Sequence, residues 1–413
     1  MKQIIVIGGG PAGMMAACTA ASAGAAVALL ERNAFCGVKL NITGKGRCNL
    51  TNHCSREELM SNIVTNGKFL YSAFAAMGPQ DVMAYFNSLG IPLKTERGNR
   101  VFPESDRAKD ISGALRTQMH RLGVKVIQGF AQEFLVSEGQ ITAVLLQDGR
   151  KLTADAFILA AGGRSYPRTG SDGSGYRLAR SAGHTVTRVK PSLVPLIAEE
   201  DIPARMEGLS LRNVTFTVKK DGKTVFSDFG EMLFTERGVS GPLVLSASAH
   251  LSSGKHTFPY QAEIDLKPAL DADTLDKRLL RDFSQTQNRD FSNSLSGLLP
   301  AKLIPVAVEL SGIDGTQKVN SVTRAQRERL CRLLKAFPLT LTEFASWDEA
   351  IVTSGGVSVK EVDPKTMRSK KAENLYLAGE ILDVDAYTGG FNLQIAWSTG
   401  FCAGQAAAKG EEV

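Results

Sequence analysis

Residues 3–31 read QIIVIGGGPAGMMAACTAASAGAAVALLE, and this stretch decides the fold. Its first five residues are an apolar, β-branched run of the kind that forms a strand buried on both faces. The run passes into Gly8, Gly10 and Gly13, spaced G-x-G-x-x-G, and then into alanine-rich sequence suited to a helix that stops at Gly24. A second apolar run, 26–30, ends in Glu31. Strand, turn, helix, strand and terminal acid stand in the order that binds a dinucleotide. Gly8 makes the tight turn, Gly10 admits a pyrophosphate to the backbone, and Gly13 lets the helix press on the sheet. The helix start adds N–H groups and partial positive charge for that pyrophosphate. Glu31, 18 residues after Gly13, is placed to accept from a ribose diol. A structural glycine turn followed by a solvated acid is the plainer alternative, and the complete ordered unit outweighs it. Three glycines and Pro11 also interrupt any apolar core of a secretion signal within residues 1–17.

The 413 residues suffice for two or three domains with a large core. A hydrophobic content of 43% with 22% charged residues is that of an ordinary globular chain. No apolar run approaches the ~20 residues of a membrane-spanning helix. The net charge of +6 is modest, and basic residues are scattered apart from small groups such as 365–371. A solvated basic face is therefore expected rather than a nucleic-acid groove, and no nucleic-acid partner. Cys18, Cys36, Cys48, Cys54, Cys331 and Cys402 include no Cys-x-x-Cys pair, which argues against a dithiol centre or zinc ribbon. No metal site is expected, and a reducing cytoplasm fits best.

Along the chain, residues 35–52 carry Gly37, Gly44, Gly46, Lys39, Lys45 and Arg47 among hydroxyl and amide side chains. Such a segment wraps an anionic ligand rather than building a core. Cys48 and His53 within or beside it are more often passive than catalytic. Helices are predicted at 78–90 and 108–122, with a strand or loop at 98–103 and a strand at 124–128. A meander follows at 133–136, 141–146 and 151–153. Residues 156–163 form a buried strand ending in Gly162 and Gly163, where bare backbone again nears the ligand. From about residue 190 the pattern alternates, as half-buried antiparallel strands do, at 209–218 and 223–226. Residues 235–246 read as a loop entering a helix with Pro242 in its first turn. Helical periodicity fills 271–335, with Asp271 or Asp273 as a cap, and strands resume at 339–344 and 349–352. Residues 374–380 form another buried strand ending in Gly379 and Glu380, followed by a helix from near Phe391 to about 408. The first domain is thus expected to be discontinuous and completed by the tail.

These blocks resemble those of FAD-binding proteins of the glutathione-reductase structural type. More narrowly, 39–52 (KLNITGKGRCNLTN), 101–106, 234–245 (FTERGVSGPLVL), 354–357 and 378–394 (AGEILDVDAYTGGFNLQ) resemble a bacterial flavoprotein family. Its members include aminoacetone-oxidase-like proteins and NAD(P)H-dependent reductases of dehydro-bile acids. The resemblance implies an α/β fold with a discontinuous FAD-binding Rossmann domain at 1–189 and 354–413. It also implies an inserted β-barrel-like part at 190–269 and 336–353, and a helical part at 270–335. Gly8, Gly10, Pro11, Ala12 and Gly13 would hold the FAD pyrophosphate and Glu31 the adenosine ribose, with Arg32 also among the cofactor-binding residues. Lys39, Gly44, Gly46 and Arg47 would border pyrophosphate and flavin, with Cys48 and Asn49 also among the cofactor-binding residues. Backbone near Ala131 would meet adenine, and Ala161 with Gly162 would come close to the cofactor. Gly379 and Glu380 would meet the ribityl chain and Asp383 its neighbourhood. Gly390, Phe391, Asn392 and Leu393 would approach the N1/O2 edge.

The expected activity is an FAD-dependent oxidoreductase, foremost an NAD(P)H-dependent reductase of an activated C=C bond in a small or steroid-like substrate. An oxygen-dependent oxidase of small amines such as aminoacetone is the alternative, and a flavin-bearing RNA-associated or redox-sensing protein the third. Arg47, Tyr166 and Tyr387 are candidates to polarise a carbonyl or donate a proton, with Arg164 beside them, and packing roles are at least as common for such residues. Substrate is expected in a cleft between the FAD domain and the insert. No second G-x-G-x-x-G unit occurs in the insert, so NAD(P)H is expected only as a transient co-substrate.

Overall fold

The computed structural model describes residues 1–409. In chain order the framework elements are β1 (Gln3–Ile7), α1 (Pro11–Ser22), β2 (Ala26–Glu31), β3 (Lys125–Gln128), β4 (Ala156–Leu159), β5 (Leu375–Leu377) and α2 (Phe391–Lys409). The five strands form one sheet in the order β5-β4-β1-β2-β3, and every neighbouring pair is parallel. Ile4 lies between Val27 and Ala156, so the three central apolar runs share one register. That arrangement explains their near-continuous hydrophobicity, because a central parallel strand is covered on both faces.

The tail completes this sheet. β5 pairs with β4 through Phe157–Leu375 and Leu159–Leu377. α2 then packs along α1 more closely than side chains would allow. A Cβ added at Gly400 or Gly404 would strike the backbone of Ala12 or Ala16 respectively. The chain divides into two compact units, Met1–Ser192 with the segment from Ser346 onward, and Leu193–Ala345. Residues 346–353 therefore group with the first unit.

Most predicted elements of the first unit are present. Helices occupy Pro79–Ser88 and Ala108–Arg121, and the three-stranded meander runs through Ala131–Ser137, Gln140–Leu146 and Lys151–Leu152. Arg100–Pro103 is a strand, paired with Leu93–Glu96 on one side and Thr51–Asn52 on the other. One predicted strand is displaced: 349–352 lies mostly in a turn, and the strand is Val352–Ser354, antiparallel to Lys190–Ser192. The cause is local, since Glu349 accepts from the N–H and hydroxyl of Ser346 and closes a turn before the strand can begin. Short helices at Arg56–Ser61, Tyr71–Ala76 and Ser174–Ser181 were not among the predicted elements.

The second unit holds a closed six-stranded barrel. Its strands follow the order Leu196–Ala198, Gly238–Ser240, Lys223–Thr235, Ser210–Lys220, Tyr260–Asp265 and Phe337–Phe344. The predicted loop at 235–246 thus contains a barrel strand, Gly238–Ser240, before the helix Pro242–Ser253. Gly238 is pressed so closely on Leu196 and Ile197 that the strand has no room for a side chain there, which hid it from pattern reading. The helices Ala272–Gln285 and Arg324–Lys335 belong to the same unit and share its core through Leu275, Leu279, Leu330 and Leu334. Asp271 caps the first of them, accepting from Thr274 N–H at 2.7 Å.

The contact between α1 and α2 gives a direct test. Gly404→Ala keeps helical propensity favourable but forces a methyl against Ala16 O at 2.5 Å. Overpacking of this kind costs about 1–3 kcal/mol. Calorimetry is expected to show a lower melting temperature, whereas alanine at Gly297, where a Cβ meets nothing, leaves it nearly unchanged.

Candidate dinucleotide site

The turn between β1 and α1 shows three different uses of glycine. At Gly8, with φ of 106°, a Cβ would collide with the backbone of Ala160 and Ala161 in the segment after β4. At Gly13 it would collide with the carbonyl of Gly8, so the helix can approach the turn only without a side chain. At Gly10 a Cβ would meet nothing within 4 Å. Space is therefore open beside the helix start, where Pro11 occupies the first position and Met14 N–H to Gly10 O is the first helical bond.

Glu31 ends β2 and is buried. Its Oε2 accepts from Gly9 N–H at 2.7 Å, and its Oε1 accepts from the N–H and side-chain amide of Asn33 at 2.7 and 2.8 Å. The carboxylate thus fixes the glycine turn while keeping acceptor capacity for a diol. Gly129 N–H donates to Glu31 O, which brings the 129–131 backbone beside it. Arg32 pairs with Asp172 at 2.6 Å and lies 4.5 Å from the centre of the Phe130 ring. Sequence reading placed Glu31 and the backbone near Ala131 at one end of the ligand, and the fold brings the two segments together, with Arg32 beside Phe130.

A second group gathers around Glu380. Lys39 Nζ donates to Glu380 Oε2 at 2.8 Å and to Ser165 Oγ at 2.6 Å. Ser165 Oγ and Thr353 N–H both reach Glu380 Oε1, at 2.9 Å each. Gly379 sits on Ala12 of α1, and its N–H donates to Thr399 Oγ1 of α2. Lys39 and Glu380, 341 residues apart, therefore meet beside the first turn of α1. Ser165 and Thr353 were not singled out in the sequence; short hydroxyl residues carry no signal of partners so distant. Ala161 and Gly162 follow β4 into this region, where a Cβ at Gly162 would lie 3.2 Å from Ser171 Oγ.

The loop at 40–49 is built on positive φ angles at Gly44, Lys45, Gly46 and Cys48. Arg47 does not stand free in it. Its guanidinium pairs with Glu96 and, at 2.6 Å, with Asp106, and it stacks 4.2 Å from the Phe102 ring centre. The Cys48 side chain is fully buried, and burial pushes its thiol up to about 12, so it is a neutral packing group at physiological pH. His53 is exposed. Tyr166 is half-buried with φ of 51°, and burial, then Glu349, raises its phenol above the usual range. Tyr387 N–H donates to Asn62 O.

The start of α2 is closed by Asn392, which accepts from Ala386 N–H at 3.0 Å and donates to Ala386 O at 2.8 Å. Gly390 faces Thr51 O so closely that no Cβ fits, with Phe391 and Leu393 following in the first turn. Asp383 N–H donates to Val357 O, and burial raises its carboxyl. Asp385, 1% exposed, accepts from Ser192 Oγ at 3.0 Å, and burial raises it to about 6. Among the described residues no helix is long and apolar enough to cross a membrane, and no cluster of His, Cys, Asp and Glu could hold a metal ion.

These features fit FAD on their own chemistry. The open ground at Gly10 suits a pyrophosphate, and Asn49 Oδ1, beside Gly44, and Ser171 Oγ, beside Gly162, are buried polar atoms without a protein partner. Buried atoms of this kind are costly unless a ligand or water satisfies them.

A parallel sheet with this glycine turn, completed by a strand and helix from the tail, is a Rossmann-type FAD-binding fold. The chain belongs to the family described as HI0933-like protein Rossmann domain, which matches residues 2–406. It is a flavin-dependent oxidoreductase. It is 36% identical to the 3-dehydro-bile acid delta(4,6)-reductase of Clostridium scindens over 99% of this chain and 100% of that protein. It is 28% identical to the ribosomal RNA dihydrouridine synthase of Escherichia coli over 97% of this chain and 96% of that protein. Among solved structures, the 3-ketosteroid delta1-dehydrogenase of Sterolibacterium denitrificans shares the fold with a TM-score of 0.52 at 13% identity, covering 99% of this chain and 100% of that one.

Asp385 supplies a pH test. Its folded-state value lies above the usual carboxylate value, so the folded protein holds this proton more tightly than the unfolded chain does. Stability from this group is then lost as pH rises from about 4 through about 6. Asp385→Asn is expected to be more stable than wild type at pH 8 by about 1–3 kcal/mol, seen as a higher melting temperature, with the difference shrinking at pH 4. Calorimetry of the two apoproteins across that range checks the sign.

Proposed function

We propose that the protein is an FAD-dependent reductase of a C=C bond conjugated to a carbonyl, with NAD(P)H as electron donor and a small steroid-like molecule as substrate. The observation that carries this reading is the chemistry shared by two full-length relatives with different substrates. A 3-dehydro compound with a Δ4 bond is an enone, and dihydrouridine is uridine with hydrogen added across a C=C bond conjugated to a carbonyl. Both names describe hydrogenation of the same kind of bond. The higher identity to the bile-acid reductase favours the small molecule. Uridine in RNA is the second reading, supported by the dihydrouridine synthase relative.

The cofactor residues take the following parts in this reading. The α1 start, with Gly10, Pro11, Ala12 and Gly13, binds the pyrophosphate, and Glu31 accepts from the ribose. The Lys39–Glu380 pair and Gly379 border the ribityl chain. Residues 390–393 present the positive end of α2 to the N1/O2 edge, where negative charge grows on reduction. Bound FAD supplies hydride transfer. Overall, a hydride reaches the β-carbon, a proton reaches the α-carbon, and NAD(P)H becomes NAD(P)⁺. The protein has to supply the proton and polarise the carbonyl. Tyr166 suits that task, since its phenol stays protonated well above neutral pH. Tyr387 is the second candidate. Arg47 is the weaker one, because Glu96 and Asp106 already neutralise it.

Anaerobic mixing of the FAD-loaded protein with NADH or NADPH is expected to bleach the flavin absorbance, and a 3-oxo-Δ4 steroid to restore it. Bleaching by aminoacetone but by neither nucleotide would point to an amine oxidase instead. Reoxidation by a uridine-containing RNA and not by the steroid would select the RNA reading. In Tyr166→Phe, turnover is expected to fall about 100-fold while FAD affinity is retained.

A further inference from the structure

We propose that Asn52 is a positioning residue that sets the aim of the α2 N-terminus at the flavin; the inference rests on the FAD reading above. Asn52 is 3% exposed, and its side-chain amide donates to two carbonyls on separate segments. One is Gly98 O, at the tip of the hairpin formed by Leu93–Glu96 and Arg100–Pro103; the other is Gly389 O, in the turn that leads into α2. Both distances are 3.0 Å.

The neighbouring bonds show why this clamp matters. Leu50 O accepts from Trp397 Nε1 at 2.9 Å, and Thr51 Oγ1 donates to Gln394 Oε1 at 2.5 Å. Gln394, fully buried, also donates to Met77 O. These bonds hold α2 against residues 50–51 and 77 from its fourth residue onward. Asn52 instead holds the turn before the helix. Gly389 and Gly390 have φ angles of 126° and 98°, so this turn is made of residues with little intrinsic preference for one path. Contact with Thr51 limits Gly390 from one side, and Asn392 closes the turn from within. Removing the Asn52 amide unlinks Gly389 O and leaves the turn free to shift. The first N–H groups of α2 then point less well at the N1/O2 edge. An aim error weakens the reduced cofactor more than the oxidised one, because only the reduced form carries the extra negative charge there.

The test uses the FAD-loaded full chain with Asn52→Ser and Asn52→Ala, neutral replacements that add no charge. Binding of oxidised FAD, followed by fluorescence, is expected to stay within about tenfold of wild type, since the α1 cradle is untouched. The affinity for reduced relative to oxidised FAD is expected to fall about tenfold, read as a midpoint potential ~30 mV more negative for the two-electron couple. The melting temperature of the apoprotein separates this from general loosening, and it is expected to change little in Asn52→Ser. An unchanged potential in FAD-loaded variants overturns the role of Asn52 and leaves the functional reading intact. Loss of FAD from both variants also counts against it, because a clamp on one turn does not build the pyrophosphate site. Wild-type protein that takes up no FAD overturns the functional reading and this inference together.

Discussion

Everything in the first unit depends on how closely α2 lies on α1. Gly400 and Gly404 put backbone against the backbone of Ala12 and Ala16, and Gly379 rests on Ala12 from the preceding turn. Small residues on both helices are therefore a geometric requirement. The contact draws the Lys39–Glu380 pair beside the glycine turn, and it gives the start of α2 a fixed place near residues 50–52. Without it the head of the chain would still form a strand, a turn and a helix, but it would offer only half of a site.

The head of the chain could be read in advance because its signals are local. Strand, glycine spacing and terminal acid lie within about thirty residues, and each answers to a separate steric or electrostatic need. The return of the tail was legible for a related reason: a second buried strand ending in glycine and an acid has few other places to go. What stayed hidden depends on distant partners. Nothing near Arg47 announces that Glu96 and Asp106 will neutralise it, and nothing near Thr353 announces its bond to Glu380. Gln394 did leave a trace, as a polar residue set among apolar neighbours, since a polar group that is buried has to be bonded to something.

Charge in this site is handled in two ways. Glu31 and Glu380 each accept from several donors, and their carboxylates organise backbone and side chains around them. Asp385 is buried and Asp383 half-buried, both with less compensation, and their protons are held more tightly as a result. The first pair stiffens the scaffold. The second raises the free energy of the folded state near neutral pH, a cost that packing elsewhere in the unit has to offset. Groups held against their preference in this way concentrate where ligands bind.

Splitting one sheet between the two ends of the chain also has a consequence during synthesis. β4 leaves the ribosome roughly two hundred residues before β5 does. At about 5–20 residues per second that interval is on the order of ten to forty seconds. Throughout it, the edge of β4 and the face of α1 wait without their partners, while the barrel between them has time to fold on its own. A nascent chain interrupted anywhere in that window would carry the glycine turn yet lack the strand and helix that close the cradle. Closure of the cradle is thereby tied to the synthesis of β5 and α2, and a polypeptide that has not reached them offers only an open half of it.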